Sequence, residues 1–242
     1  MDILFDIVIP IGPNDIKTIN KMIDNTKKYI IGYRNIYLVS YDPNINIENC
    51  ITINENIFPF NKKIIANYLG KNDRNGWYLQ QLIKFYSGFV IKGILNNYLV
   101  IDSDTFFLKF TTFFKNKLPL YNIGIECNIP YFTHMNKLHP TLCKNTYYSG
   151  ICHHMLFQRN IIDELFKLVE NYHNNSFYII FLKCINTTDI LGSGASEYEI
   201  YFNYLHIYHK GKFLIRELKW ENTYSLIENN KLDYISCHWY MK

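Results

Sequence analysis

The sequence predicts an α/β domain: a mostly parallel central sheet flanked by helices, with a smaller region attached to it. Short β-branched runs alternate with helical stretches over about the first 100 residues, as parallel strands joined by crossover helices require. The apolar residues between Trp77 and Ile94 recur at helical spacing, which marks a buried amphipathic helix. Hydrophobic types make up 48 % of the 242 residues, enough to bury one substantial core.

The elements follow in order. "FDIVIP" (5–10) is a strand stopped by Pro10, and "IGPND" is a turn from which Asn14 or Asp15 caps a helix to about Tyr29. "NIYLVS" (35–40) is the second strand, ended by "YDPN". Within 41–72, "CITI" reads as a short strand and "KKIIANYL" as a short helix. From Gly76, residues Trp77, Leu79, Leu82, Ile83, Tyr86, Phe89, Val90 and Ile94 line a helix; "GILNN" ends it and "YLVID" is the next strand. Past Asp104 the order loosens. "TFFL" and "YNIGIE" read as strands, "YFTHMNKLHPTLCKNTYY" as loop, "GICHHMLFQ" (150–158) as a strand and "NIIDELFKLVENYH" (160–173) as a helix. "LGSGASEYEIYFNYL" is a Gly/Ser loop opening into a helix, and "KFLIRE" and "DYISCH" are late strands. No repeat or linker divides the chain, so 1–242 reads as one domain.

Net charge is +4 with charged residues at 19 %, and the Lys and Arg are scattered. This speaks against nucleic acid as a partner and leaves room for a small anionic ligand. The apolar region 82–101 is interrupted by Lys84, Lys92, Asn96 and Asn97 and cannot span a bilayer. "MDILFDIVIPIGPND" has acidic residues on both sides of its apolar run and reads as a first strand rather than a leader. Cys50, Cys127, Cys143, Cys152, Cys184 and Cys237 form no C-x-x-C pair, so they read as reduced and mostly buried. A soluble cytoplasmic protein is the expectation. The heavy use of Ile, Asn, Lys and Tyr reads as AT-rich coding, so the 21 tyrosines carry little functional weight.

"YLVIDSDTFFL" (98–108) places two carboxylates one residue apart where a strand ends. Two readings stand. Asp102, Ser103 and Asp104 are ordinary turn residues. Alternatively, they face the ligand crevice that open parallel sheets form beyond their carboxyl ends, where paired carboxylates suit a hard divalent cation.

"YLVIDSDTFFLK", preceded by a buried helix, resembles the D-x-D region of nucleotide-sugar glycosyltransferases with the GT-A, Rossmann-like fold. "GWYLQQ" shortly before it is similar to a group of viral and bacterial GT-A-like proteins, and "SGICHHMLF" is more distantly similar to the glycogenin-like family. The resemblance runs from Asp6 to His238. It implies a nucleotide-binding half over about 1–108 and an acceptor-binding half over about 109–242. It further implies that Pro10, Ile11 and Asp15, after the first strand, hold the base and ribose, although an ordinary strand-turn-helix has the same pattern.

Arg74 is placed to pair with the donor diphosphate, Gly76 permits close backbone approach, and Gln81 lies near the crevice on the donor side with Asp102 and Ser103. Trp77 reads as core packing, with ligand stacking as the alternative. Gly150 matches a position where small residues admit the hexose. His153 and His154, adjacent on a strand, point to opposite faces, so at most one faces the ligand. Glu197, in the first turn of a helix, matches the acceptor base of inverting enzymes. Glu199, about 200° around that helix, is the runner-up. Capping by Ser196 is the structural alternative, and Glu-Tyr-Glu departs from the usual acidic pair. His238 matches a late histidine that completes a metal site with Asp102 and Asp104.

The resemblance thus implies a glycosyltransferase dependent on Mn²⁺ or Mg²⁺ that moves a sugar from a nucleotide-diphospho-sugar, UDP-linked before GDP-linked, to a glycan or other hydroxyl acceptor. Aromatic side chains of 131–148 would stack on that acceptor or form a lid. A sugar nucleotidyltransferase is an alternative, but "IPIGPND" has one Gly and no basic residue before Lys17. A non-catalytic glycan-binding protein on the same fold is another.

Overall fold

The computed structural model describes residues 3–226 and 231–238; Met1 and Asp2 of the amino-terminal run lie outside it. β1 (Phe5–Ile11) is buried along its whole length. It forms the centre of a sheet with β2 (Tyr33–Ser40), β3 (Ile51–Asn54), β4 (Asn97–Ile101) and β8 (His154–Gln158), in the order β3-β2-β1-β4-β8. The first four strands are parallel and β8 runs antiparallel to β4, so the α/β class holds and the sheet is mixed.

Pro10 sits in this central strand without breaking it, for a local reason. The β1–β4 ladder ends at Val8↔Val100, while β1–β2 pairing continues to Ile11↔Ser40. A residue with no N–H is tolerated where pairing on one side has stopped. Past that point the segments leaving β1 and β4 meet through Ser103 Oγ and Asp15 Oδ2, 2.6 Å apart, at the carboxyl edge of the parallel strands, the edge at which such sheets bind ligands.

The helices cover the sheet: α1 (Ile19–Tyr29), α2 (Lys62–Leu69), α3 (Asn75–Val90), α4 (Ile129–Leu138), α5 (Arg159–His173), α6 (Phe177–Lys183) and α7 (Glu197–Tyr208). α3 is buried over most of its circumference, including Gln81 and Lys84. Gly88 lets the sheet close on it: a Cβ there would lie 2.7 Å from the Tyr98 ring. The Tyr98 hydroxyl donates to the carbonyls of Lys84 and Phe85. Asn61 caps α2 by accepting from Ile64 N–H at 3.0 Å.

Two small sheets flank the main one. β5 (Thr105–Phe107) pairs antiparallel with β11 (Tyr234–Ser236), which pairs parallel with β10 (Trp220–Asn222). β7 (Leu118–Asn122) joins β6 (Phe114–Lys115) and β9 (Leu214–Arg216).

Several elements differ from the sequence reading. The stretch 131–148, read as loop, contains most of α4, whose Tyr131, Met135 and Leu138 turn inward. His134 hid this apolar face, yet it too is buried, donating from Nε2 to the Phe181 carbonyl at 2.8 Å. α6 lies in a stretch left unassigned. The strand read over 150–158 starts only at His154, because His153 has φ 59°, outside strand geometry. Thr18, not Asn14 or Asp15, occupies the cap position of α1. Of the six cysteines only Cys152, Cys184 and Cys237 are buried, so "mostly buried" fails for the other half. Among the described residues no helix is long and apolar enough to cross a membrane.

Candidate active site

The carboxyl ends of β1 and β4 carry Asp15, Asp102, Ser103 and Asp104, and two pairings bring distant histidines to them. β8 pairs with β4 up to Ile101↔His154, and Asp102 N–H continues the ladder to the His153 carbonyl at 2.9 Å. His153 therefore sits beside Asp102, with its Nδ1 3.5 Å from Asp102 Oδ2. β11 pairs with β5 as Ser236↔Thr105, and Cys237 N–H donates to the Asp104 carbonyl at 2.8 Å. That extension places His238 Nδ1 2.7 Å from Asp104 Oδ2, while Ser236 Oγ donates to Oδ1 at 3.1 Å. The two imidazole rings lie 4.9 Å apart.

The wall beside Asp102 comes from α3 and α7. Lys84 Nζ lies 2.6 Å from Asp102 Oδ1 and 2.5 Å from Glu197 Oε1, and 4.4 Å over the Tyr198 ring. The Tyr198 hydroxyl donates to Asp102 Oδ1 at 2.8 Å. Burial alone would raise the Asp102 carboxyl, but Lys84, then His153, hold it well below the usual carboxylate range. For Glu197 the balance is reversed: burial outweighs Lys84, and Asp102 adds to it, so its affinity for a proton is raised. Burial would also lower the Lys84 ammonium, and the charges of Asp102 and Glu197 overcome it. Burial would lower His238, and Asp104 more than offsets this.

Asp15 closes the other side. It accepts from Ser103 Oγ at 2.6 Å and from Gly12 N–H at 3.0 Å. Burial raises its pKa, and the charges of Asp104 and Asp102 push the same way. Glu126 is close enough to His153 and His238 to interact electrostatically with both.

At the rim, Arg74 Nε donates to the Gly192 carbonyl at 2.8 Å and its guanidinium stacks 4.1 Å over the Trp77 ring. Asn128, ahead of α4, donates to the Ser193 carbonyl at 2.9 Å. The Gly/Ser loop is thus held from two sides.

The structure brings together Asp15, Asp102, Ser103, Asp104, His153, Glu197 and His238, and places the other expected residues elsewhere. Pro10 and Ile11 are buried within β1, Ile11 in the hydrophobic core. Gln81 Oε1 accepts from Glu197 N–H at 3.2 Å and so fixes the start of α7. His154 faces away, packed against Phe107, Phe113 and Tyr234. Glu199 accepts from Ser149 Oγ and Asn203 Nδ2, on the side of α7 away from Lys84. The space over Gly150 is filled by α7: a Cβ there would lie 2.5 Å from Phe202 Cβ.

Lys84, Tyr198 and Glu126 were not singled out in the sequence. Lys84 had a signal: with Gln81 it forms a polar pair three residues apart among the apolar Tyr78, Leu82, Ile83 and Phe85, which a buried helix tolerates only where the pair has partners. Glu126 had none.

Among the described residues no group of three or more His, Cys, Asp or Glu side chains is arranged to hold a metal ion as it stands. The donor set nevertheless fits one. Four carboxyl groups gather here: Asp102 and Glu197 share Lys84, Asp104 faces His238, and Asp15 accepts from Ser103. Carboxylate oxygens with imidazole nitrogens suit Mn²⁺. His153 Nε2, a buried polar atom, has no partner.

No family model matches the chain, and no curated protein matches it.

Proposed function

We propose that the protein is a metal-dependent glycosyltransferase with a GT-A-like arrangement, transferring a sugar from a nucleotide-diphospho-sugar to a hydroxyl acceptor. The observation that carries this reading is the contact of Asp104 with His238 at the carboxyl edge of the parallel strands, 2.7 Å apart and beside Asp102. The position of these groups beyond the carboxyl ends of β1 and β4 supports it, since open parallel sheets bind ligands at that edge.

Asp104 and His238, with Asp102 beside them, are the residues that would hold the cation. A cation held there would supply neutralisation of the charge developing on the departing diphosphate. Lys84 keeps Asp102 ionised and oriented. Glu197, its proton affinity raised by burial, accepts the acceptor hydroxyl proton if the reaction inverts configuration; if configuration is retained, it steadies the donor sugar. Arg74, with Trp77, orders the Gly192–Ser193 turn at the crevice rim and is the candidate partner for the diphosphate. The reading extends to a cytoplasmic location.

Incubation with a panel of nucleotide-sugars and Mn²⁺ tests this by released nucleoside diphosphate. Release abolished by EDTA and by Asp104→Ala is expected. Pyrophosphate release from a nucleoside triphosphate and a sugar phosphate would instead identify a nucleotidyltransferase. Stabilisation by glycans but by no nucleotide would identify a binding protein.

A further inference from the structure

We infer that His153 is a further ligand of the cation, giving a site of two carboxylates and two imidazoles that prefers Mn²⁺ to Mg²⁺. The inference deepens the proposed function and rests on Asp104 and His238 forming a metal site.

Four observations carry it. His153 is 9 % exposed, yet its Nε2 has no hydrogen-bond partner. An unpartnered buried nitrogen is costly, and a metal bond is one way to compensate it. His153 Nδ1 faces Asp102 Oδ2 at 3.5 Å, and its ring lies 4.9 Å from that of His238. The imidazole is therefore within the cluster, not behind it.

The third observation is the backbone. His153 has φ 59°, in the left-handed region that few residues other than glycine adopt and in which histidine is among the better tolerated. The hydrogen bond from Asp102 N–H to the His153 carbonyl holds it there. The twist turns the His153 ring to the crevice while His154 enters the core. Glycine or asparagine would meet this backbone demand at less cost, so the turn alone does not call for histidine.

The fourth observation is the surroundings. The Trp220 ring packs edge-on to His153 at 4.9 Å and itself stacks on Tyr234, which helps to fix the imidazole. A ligand held by its outer neighbours is what a preorganised metal site needs. The chemistry then sets the preference: Mg²⁺ favours oxygen and retained water, whereas two imidazoles favour Mn²⁺.

The test uses the full chain and Mn²⁺ alone. Titration followed by electron paramagnetic resonance gives the affinity, and electron-spin-echo modulation from ¹⁴N counts the bound imidazoles. Wild type is expected to show two. His153→Asn, which keeps the left-handed backbone, is expected to show one and to bind Mn²⁺ at least about tenfold more weakly, the loss seen even for outer partners of a ligand. It should also lose the preference over Mg²⁺ in competition. His238→Gln should remove the other imidazole, and His139→Gln, on the surface, neither. One imidazole in wild type, unchanged in His153→Asn but lost in His238→Gln, would overturn the role of His153 and leave the metal site standing. Absence of Mn²⁺ binding at millimolar concentration would overturn both. The wild-type count decides the matter even if a variant does not fold.

Discussion

Lys84, buried on α3, lies 2.6 Å from Asp102, and its ammonium also touches Glu197 at 2.5 Å. One buried cation thus links the strand-end carboxylate to the first turn of α7. Removing it would leave two carboxylates close together without the ammonium between them.

Lys84→Met should therefore destabilise the fold by about 3 kcal/mol, since breaking a buried pair strands its partner. Adding Glu197→Gln should restore part of the loss, because the mutual repulsion is relieved. Urea unfolding of the two single variants and the double variant gives the coupling energy. Additive losses would mean that the three groups do not act as one unit.

Glu197 and Glu199 should separate by phenotype. Glu197→Gln is expected to bind nucleotide-sugar normally and to lose transfer by at least about 100-fold, the lower range for a general base. Glu199→Gln weakens the contacts to Ser149 and Asn203 and should lower the melting temperature with little change in turnover per folded molecule. Unchanged transfer in the first variant would remove Glu197 as the base. Calorimetric donor binding and initial rates provide both readouts.

Gly150 should prove a packing residue. Its absent Cβ leaves room for Phe202, at 2.5 Å, and the Tyr198 carbonyl, at 2.9 Å. Gly150→Ala should cost about 2 kcal/mol through overpacking and shift α7. A variant of native stability with only a raised KM for donor would mean that Gly150 meets the sugar after all. Thermal melts alongside donor titrations distinguish the two.

Acid should weaken the fold through His134. Burial, opposed by the hydrogen bond to Phe181, lowers its pKa from 6.5 to about 4. Between those values the unfolded chain binds the proton and the folded one does not, so stability rises with pH across that window. The contribution is complete above about pH 6.5 and falls as pH drops toward 4, by roughly 3 kcal/mol in all. His154, lowered to about 3 by burial and Arg216, acts in the same direction. Urea unfolding at pH 7.5, 6 and 5 should show the decline, with a shallower slope in His134→Gln. An identical slope would exclude His134 as a contributor.

Much of the frame was legible because local pattern and final environment agree. β1, β2, β4 and α3 are buried on both faces or nearly so, and buried elements need the continuous apolar runs that the sequence displays. α4 escaped because its inward face includes His134, whose polarity reads as exposure until its partner, the Phe181 carbonyl, is known. α6 and the late truncation of the strand before His154 depend on contacts far along the chain, which periodicity does not record.

The amino-acid sequence by itself determined the α/β class, the strand-end position of Asp102 and Asp104, and the helical setting of Glu197. Each follows from turn chemistry or hydrophobic spacing within a few residues. Tertiary structure alone decided that Lys84 pairs with Asp102, that His153 turns to the crevice while His154 turns inward, and that α7 fills the space over Gly150. These outcomes depend on strand pairing and helix packing between segments tens of residues apart. There the burial of one group is set by the charge or volume of another that no local pattern can announce.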